Sequence, residues 1–444
     1  MNEEVSNFYW KPCPDGQLLL DELVRDFFDK NPSAGLMAAA MKEKTGTRFF
    51  DWIDYLQLPV GGQLSQRLGD AGFEKDGDVW EHHGALFPRV RECSERRLVL
   101  KVESVADFLA AQNVQSKIEG IPFGTFRLAH FKEELWVVER HGYRGFSDPE
   151  VGSAKAIRSQ EILETFRSRK RDFCGDDEAA FSDINSEIDA AIGELGRDWV
   201  CDLFFAAERD FWMRRNRAGR VQKARQDALG LGWANHDHHT YRCRRKTFHH
   251  VIGIFEKLGF TCRERFYAGA QAGWGAQIVE QKATGITIFA DVDMTAEEVT
   301  GDFAHEGFVA KEGLGTVGLW CELHGESFFE AGMHHLEAQF DFDSLRDQLM
   351  AESGIGMMKP FTDFVYLRQQ FSEGERWPVD EARIQKLLDS ADITEKQAAT
   401  FRRDGAVGSH LENLERNDGF KGFNQTGISD IIERTDARKL ADSN

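Results

Sequence analysis

The chain has no Cys-x-x-Cys pair: its seven cysteines lie apart at 13, 93, 174, 201, 243, 262 and 321. An odd, unpaired set argues against a disulfide framework and fits reduced thiols in a cytoplasm. No apolar run approaches the ~18 residues of a membrane span. The opening MNEEVSNFYWKPCPDG lacks the basic start and apolar core of a secretory signal. A soluble, cytoplasmic protein is expected. Positive charge is scarce as well. Lys and Arg number 55 against 75 Asp and Glu, a formal net charge of −20, which argues against nucleic acid or an anionic membrane as partner. RRNRAGRVQKAR (214–225) is a local exception, and reads as the solvated face of a basic helix.

Phenylalanine, by contrast, is abundant, with 35 residues. Hydrophobic residues at 41% and charged residues at 29% give the balance of a globular protein. A length of 444 residues exceeds one ordinary core, so two or more domains are expected. The polar, small-residue segments FSDPEVGSAKAIRSQ and CGDDEAAFSDINSE place a division between residues 146 and 182. Upstream, helical patterns fill roughly 17–75, and RLVLKVE, VADFLAAQ, FGTFRLAHF and ELWVVERHGY then read strand, helix, strand, strand. Downstream, 182–229 reads as helical. HHTYRC then reads as a strand and TFHHVIGIFEKLG as a helix stopped by Gly259, with three strand-like runs after it. This βαβββ order recurs from HHLEAQF (334–340), through a helix with Asp343 as expected cap and the strand-like MMKPF and FVYLRQQF.

Histidine is where chemistry enters. In NHDHHTYRC (235–243), alternation along a strand puts His236, His238, Thr240 and Arg242 on one face and His239, Tyr241 and Cys243 on the other. His238 as a metal ligand and Arg242 as an anchor for a carboxylate form a coherent pair. At 334–340 the polar face holds His335, Glu337 and Gln339, which makes His335 the better inward candidate. Tyr366 and Arg368 share a strand face and are candidates to line the same cleft. Glu81, His82 and His83 are weaker metal candidates, as are His249 and His250, which flank the apolar helix stripe and face solvent.

The repeated order with first-strand histidines is similar to the vicinal oxygen chelate superfamily. More narrowly, it resembles the 2-oxoadipate dioxygenase/decarboxylase (2-hydroxyglutarate synthase) family over about residues 185–435. DHHTYR (237–242) resembles that family's first motif, GMHHLEAQF its second histidine strand, and SHLENLER with NDGFKGFNQTGISDIIERT its closing segment. The resemblance implies an α+β fold of paired βαβββ modules around a metal-binding cleft in residues 181–444. Residues 1–180 form an additional α+β region that could hold a diverged copy of the module. It implies His238, His335 or His334, and Glu412 as metal ligands, with Glu415 the near alternative to Glu412 and Arg242 on the substrate carboxylate. Fe(II) is the implied metal, with Mn, Zn and Ni as alternatives. The implied reaction is decarboxylating dioxygenation of a 2-oxo acid, with a small carboxylate and dioxygen as partners and a homo-oligomer compatible with it. Another metal enzyme of the superfamily (isomerase, lyase or extradiol-type) and a non-catalytic binding protein are the competing readings. The second strand departs from the family, reading MHHLEAQ where Asn-His is followed by Thr and a basic residue.

Overall fold

The computed structural model describes residues 10–59, 61–268, 273–424 and 436–442. After helices α1 (Pro14–Lys30) and α2 (Pro32–Thr45), the chain builds two βαβββ units in succession. The first is β1 (Ile53–Leu58), α3 (Gly62–Asp70), β2 (Glu74–Asp76), β3 (Val79–Glu81) and β4 (Arg89–Glu92). The second is β5 (Arg97–Lys101), α4 (Val105–Ala111), β6 (Ile118–Glu119), β7 (Phe126–Lys132) and β8 (Leu135–Arg140). They join into one sheet of order β2-β3-β4-β1-β5-β8-β7-β6. Within each unit the first and last strands pair in parallel, and β1 meets β5 antiparallel at the seam.

Helices α5 (Ser153–Ser168), α6 (Asp177–Leu195), α7 (Arg197–Arg214) and α8 (Arg217–Asp227) follow. The second sheet then repeats the plan. One unit is β9 (His236–Cys243), α9 (Phe248–Lys257), β10 (Thr261–Tyr267), β11 (Trp274–Gln281) and β12 (Ile286–Asp293). Short helices α10 (Phe303–Glu306) and α11 (Thr316–His324) lead to the other. It comprises β13 (His335–Gln339), α12 (Phe342–Ser353), β14 (Thr362–Phe364), β15 (Leu367–Phe371), β16 (Glu375–Trp377), α13 (Glu381–Asp389), α14 (Glu395–Asp404) and β17 (Ala406–Arg416). The order is β10-β11-β12-β9-β13-β17-β15-β14, with β16 on β17. Again β9–β12 and β13–β17 are parallel, and the β9–β13 seam is antiparallel. The expected paired βαβββ architecture is therefore present twice.

Local chemistry explains most elements. In α9, Phe248, Val251, Ile252 and Phe255 form one buried stripe, and Gly259 (φ 94°) supplies the left-handed turn that stops the helix. The cap of α12 is Asp341 rather than Asp343, because the Asp341 side chain accepts the Ser344 N–H at 3.1 Å. Asp343 lies inside the first turn. Residues 53–58, within the stretch read as helical, form a strand: six residues are too few for helical periodicity to be told from alternation. Position 180 falls inside α6. The basic segment 214–225 is tied down by its surroundings, with Arg225 on Glu352 and Lys223 on Glu103 and Asp227.

Each sheet has a helix-covered face and a second face. In the first sheet Leu56, Leu98 and Leu100 pack under the helices, while the second face is filled by Tyr55, Val99, Phe126 and Val138. The second sheet leaves polar groups there instead.

The two halves are joined by a charged contact. His141, just after β8, sets Nδ1 2.7 Å from Asp202 of α7 and Nε2 3.2 Å from Glu139. Burial alone would lower its pKa, but the two carboxylates outweigh it and raise it to about 10. A raised folded-state pKa gives stability that is complete below the unfolded value near 6.5 and is lost as pH rises through 10. Wild type is expected to lose about 3 kcal/mol more than His141→Gln between these limits, a figure discounted for partial exposure. Denaturant titrations at stepped pH would check it; parallel curves for the two proteins would refute it.

Candidate metal centre

Strand register builds the site. Antiparallel pairing sets Glu337 opposite His238 and His335 opposite Thr240, and parallel pairing sets Glu412 beside Glu337 and His410 beside His335. Two rows thus cross the seam, His238–Glu337–Glu412 and Thr240–His335–His410. All six side chains are buried.

Three donor atoms converge. His335 Nε2 lies 3.1 Å from Glu412 Oε2, and His238 Nε2 lies 3.9 Å from that oxygen. One ligand atom from each of the three residues falls within 4.8 Å of the others. Burial, then the nearby His335 and Arg416 charges, holds the His238 pKa well below its usual value, so the ring is neutral and free to coordinate. Surrounding groups fix the donors. His238 Nδ1 contacts Glu337 and lies 3.2 Å from Asp237 Oδ2, and Gln369 Nε2 donates to both Glu337 and Glu412 at 3.0 Å. A carboxylate behind a ligating histidine and a hydrogen bond on a ligating carboxylate are the supports a metal centre uses. Asp237 is itself held by the Arg416 guanidinium at 2.9 Å. The donor set fits a divalent metal: two imidazole nitrogens and one carboxylate oxygen, buried and braced.

The two neighbouring histidines are placed differently. His334 Nδ1 sits 2.9 Å from His335 Nδ1, and its ring packs against Trp320 and His410, so it backs His335 outside the three-atom cluster. Glu415 also lies elsewhere, accepting the Phe342 N–H at 2.8 Å at the start of α12.

Arg242 lines the same cavity. It is 4% exposed, yet its guanidinium has no hydrogen bond or ion pair among the described residues, and its Nε is an orphan donor. Burial lowers its pKa, offset by Asp291, which lies opposite in register on β12. Burial likewise pushes Asp291 up to about 8, and its Oδ1 also lacks a partner. Phe266, Trp274, Phe289, Phe361, Phe371 and Phe423 form apolar walls around a cavity of 60 Å³.

Tyr366 and Arg368 are not brought to this cavity. Arg368 pairs with Asp343 at 2.9 Å and lies over the Phe342 ring, while Tyr366 packs on Phe420. On β15 the inward face belongs to Gln369 and Phe371. Parity correctly grouped the outer pair but could not say which face turns in. Glu337, Gln369 and Asp291 are the site residues that sequence reasoning passed over. Glu337 was within reach, two positions from His335 on the same face. Of the closing segment, 425–435 lie outside the described residues.

No family model and no curated protein matches the sequence. Solved structures do. A protein assigned to the glyoxalase superfamily from Ralstonia eutropha is 10% identical, covering 50% of this chain and 84% of its own, with a TM-score of 0.34. A variant of 4-hydroxymandelate synthase from Streptomyces coelicolor is 12% identical, covering 86% and 98%, with a TM-score of 0.26. Methylmalonyl-CoA epimerase from Mycobacterium tuberculosis is 11% identical, covering 41% and 89%, with a TM-score of 0.24.

Proposed function

We propose that the protein is a non-haem Fe(II)-dependent dioxygenase that decarboxylates a 2-oxo acid, converting the acid and O2 to CO2 and a 2-hydroxy acid one carbon shorter. The observation that carries this reading is the convergence of His238 Nε2, His335 Nε2 and Glu412 Oε2 in a cavity that also holds the unpaired Arg242. Two histidines and one carboxylate leave open positions on an iron, which when bound supplies the redox chemistry for dioxygen.

The chain's own residues do the rest. Arg242 presents a planar fork to a substrate carboxylate, and that fork makes no hydrogen bond or ion pair among the described residues. Asp291, protonated below about pH 8, stands beside it as a neutral donor that does not repel a second carboxylate. The phenylalanines and Trp274 keep water from the reacting centre. Gln369 and Glu337 keep Glu412 and His238 in orientation.

Oxygen uptake by anaerobically prepared, iron-loaded protein, on addition of a panel of 2-oxo acids, tests the reading. Arg242→Lys is expected to raise KM by about tenfold or more, because a lysine cannot form the two-pronged contact, while metal content stays at the wild-type level. Equal loss of metal and activity would remove Arg242 from its role.

One observation favours a second reading. Asp291, a buried carboxyl lining the cavity whose Oδ1 has no hydrogen-bond partner among the described residues, also suits proton transfer without oxidation, as an isomerase or lyase requires. Such an enzyme would turn over under argon and keep its activity with Mn, Ni or Zn; the dioxygenase would not. A binding protein would hold a small ligand with no metal at stoichiometric level.

A further inference from the structure

A second cavity, of 660 Å³, lies between the two sheets. That volume suits a whole metabolite. Its wall draws Lys101 and His141 from the first sheet, Trp199 and Arg209 from α7, and Trp233 and His236 from the approach to β9.

Most charges in that wall are satisfied within it. Arg127 meets Glu139 at 3.2 Å, His141 meets Asp202 at 2.7 Å, Arg167 meets Asp210 at 2.8 Å, and Lys223 meets Glu103 and Asp227 at 2.8 and 2.6 Å. Arg140 is held by Asp54 at 2.8 Å, and Asp107 is exposed at the rim. Two cations are left over. Lys101 has no hydrogen bond or ion pair among the described residues; its nearest acids, Asp54 and Asp202, are engaged by Arg140 and His141. Arg209 is 7% exposed, and its one polar side-chain contact among the described residues is His239 Nε2 at 3.3 Å. Three more buried nitrogens, on residues that line this wall, have no hydrogen-bond partner among the described residues: the indole N–H groups of Trp199 and Trp233, and Nδ1 of His236.

Two cations and several donors without hydrogen-bonding partners among the described residues call for an acceptor that carries negative charge. Trp199, Leu163 and Leu203 add apolar surface beside those donors. We propose that this cavity binds a small organic anion, with its carboxylate or phosphate held by Lys101 and Arg209. The site is separate from the metal centre but mechanically joined to it. His236 begins the strand that carries His238, and Arg209 holds the residue after His238.

Calorimetric titration of the full chain with inorganic phosphate and with succinate, at constant ionic strength, tests the proposal. Tryptophan fluorescence gives a second readout from Trp199 and Trp233. At least one probe is expected to bind saturably, equally well to wild type and to Arg242→Gln, and about tenfold or more weaker to Lys101→Met and Arg209→Gln. Preference between the probes identifies the head group. Absence of saturable binding of either probe would overturn the proposal. So would binding that Arg242→Gln abolishes and Lys101→Met leaves intact, since it would belong to the metal cavity. Should Arg209→Gln fail to fold, Lys101→Met decides alone, because Lys101 makes no hydrogen bond or ion pair among the described residues.

Discussion

Replacing Glu412 with alanine is expected to take metal content from about one ion per chain to below about a tenth of that after anaerobic reconstitution with Fe(II). Glu412 supplies the sole carboxylate oxygen within the three-atom cluster, and an imidazole ligand brings no negative charge to offset a divalent cation. Glu337, the neighbouring carboxylate, contacts His238 Nδ1 and accepts from Gln369, so it is committed to bracing. Glu337→Ala should therefore weaken binding by about 10–100-fold without abolishing it, the range for loss of a ligand's support. The two variants separate ligand from brace. Mass-spectrometric metal analysis beside circular dichroism gives the answer, and full metal in folded Glu412→Ala would mean that the carboxylate does not coordinate.

The second large effect concerns stability. Glu208 on α7 is fully buried and holds Arg169 at 3.1 Å, contacts Arg171, and accepts from the Tyr241 hydroxyl at 3.3 Å. Its burial would raise the carboxyl pKa, but Arg171 and Arg169 bring it below the usual range. Truncating it to alanine strands the Arg169 guanidinium in the core with the Phe328 carbonyl as its remaining acceptor. A loss of about 3–5 kcal/mol is expected, measured by denaturant unfolding. A change below about 1 kcal/mol would show that the arginines find new partners or water. Tyr241 backs β9 on the face opposite His238 and Arg242, so the same variant should also loosen the metal strand.

Much of this was legible in the residues. Period-two alternation in NHDHHTYRC put His238 and Arg242 on one face, and both line the metal-site cavity. The same parity favoured His335, the histidine that enters the three-atom cluster. The stripe of α9 and the stop at Gly259 follow from spacing and from glycine's access to positive φ. What escaped has physical causes. IDYLQL is short and lies between helices, so the first βαβββ unit was hidden although the second read clearly. His236 belongs by parity with His238, but the pairing with β13 shifts between Glu337 and Ala338, and His236 lines the inter-sheet cavities instead. Asp291 is one polar residue in the buried run GITIFADVD. Only its register opposite Arg242, set by a strand far back in the chain, gives it meaning.

The division of the proposed ligands across the β9–β13 seam has a mechanical consequence. His238 belongs to one βαβββ unit, while His335 and Glu412 belong to the next. An ion held by all three is a rivet through the middle of an eight-strand order, at the one join that no unit makes for itself. Without the rivet, that join rests on the β9–β13 pairing alone. Parting there would bare a strand edge, β9 or β13, to any passing chain. Metal starvation would in that way threaten the protein's solubility as well as its chemistry.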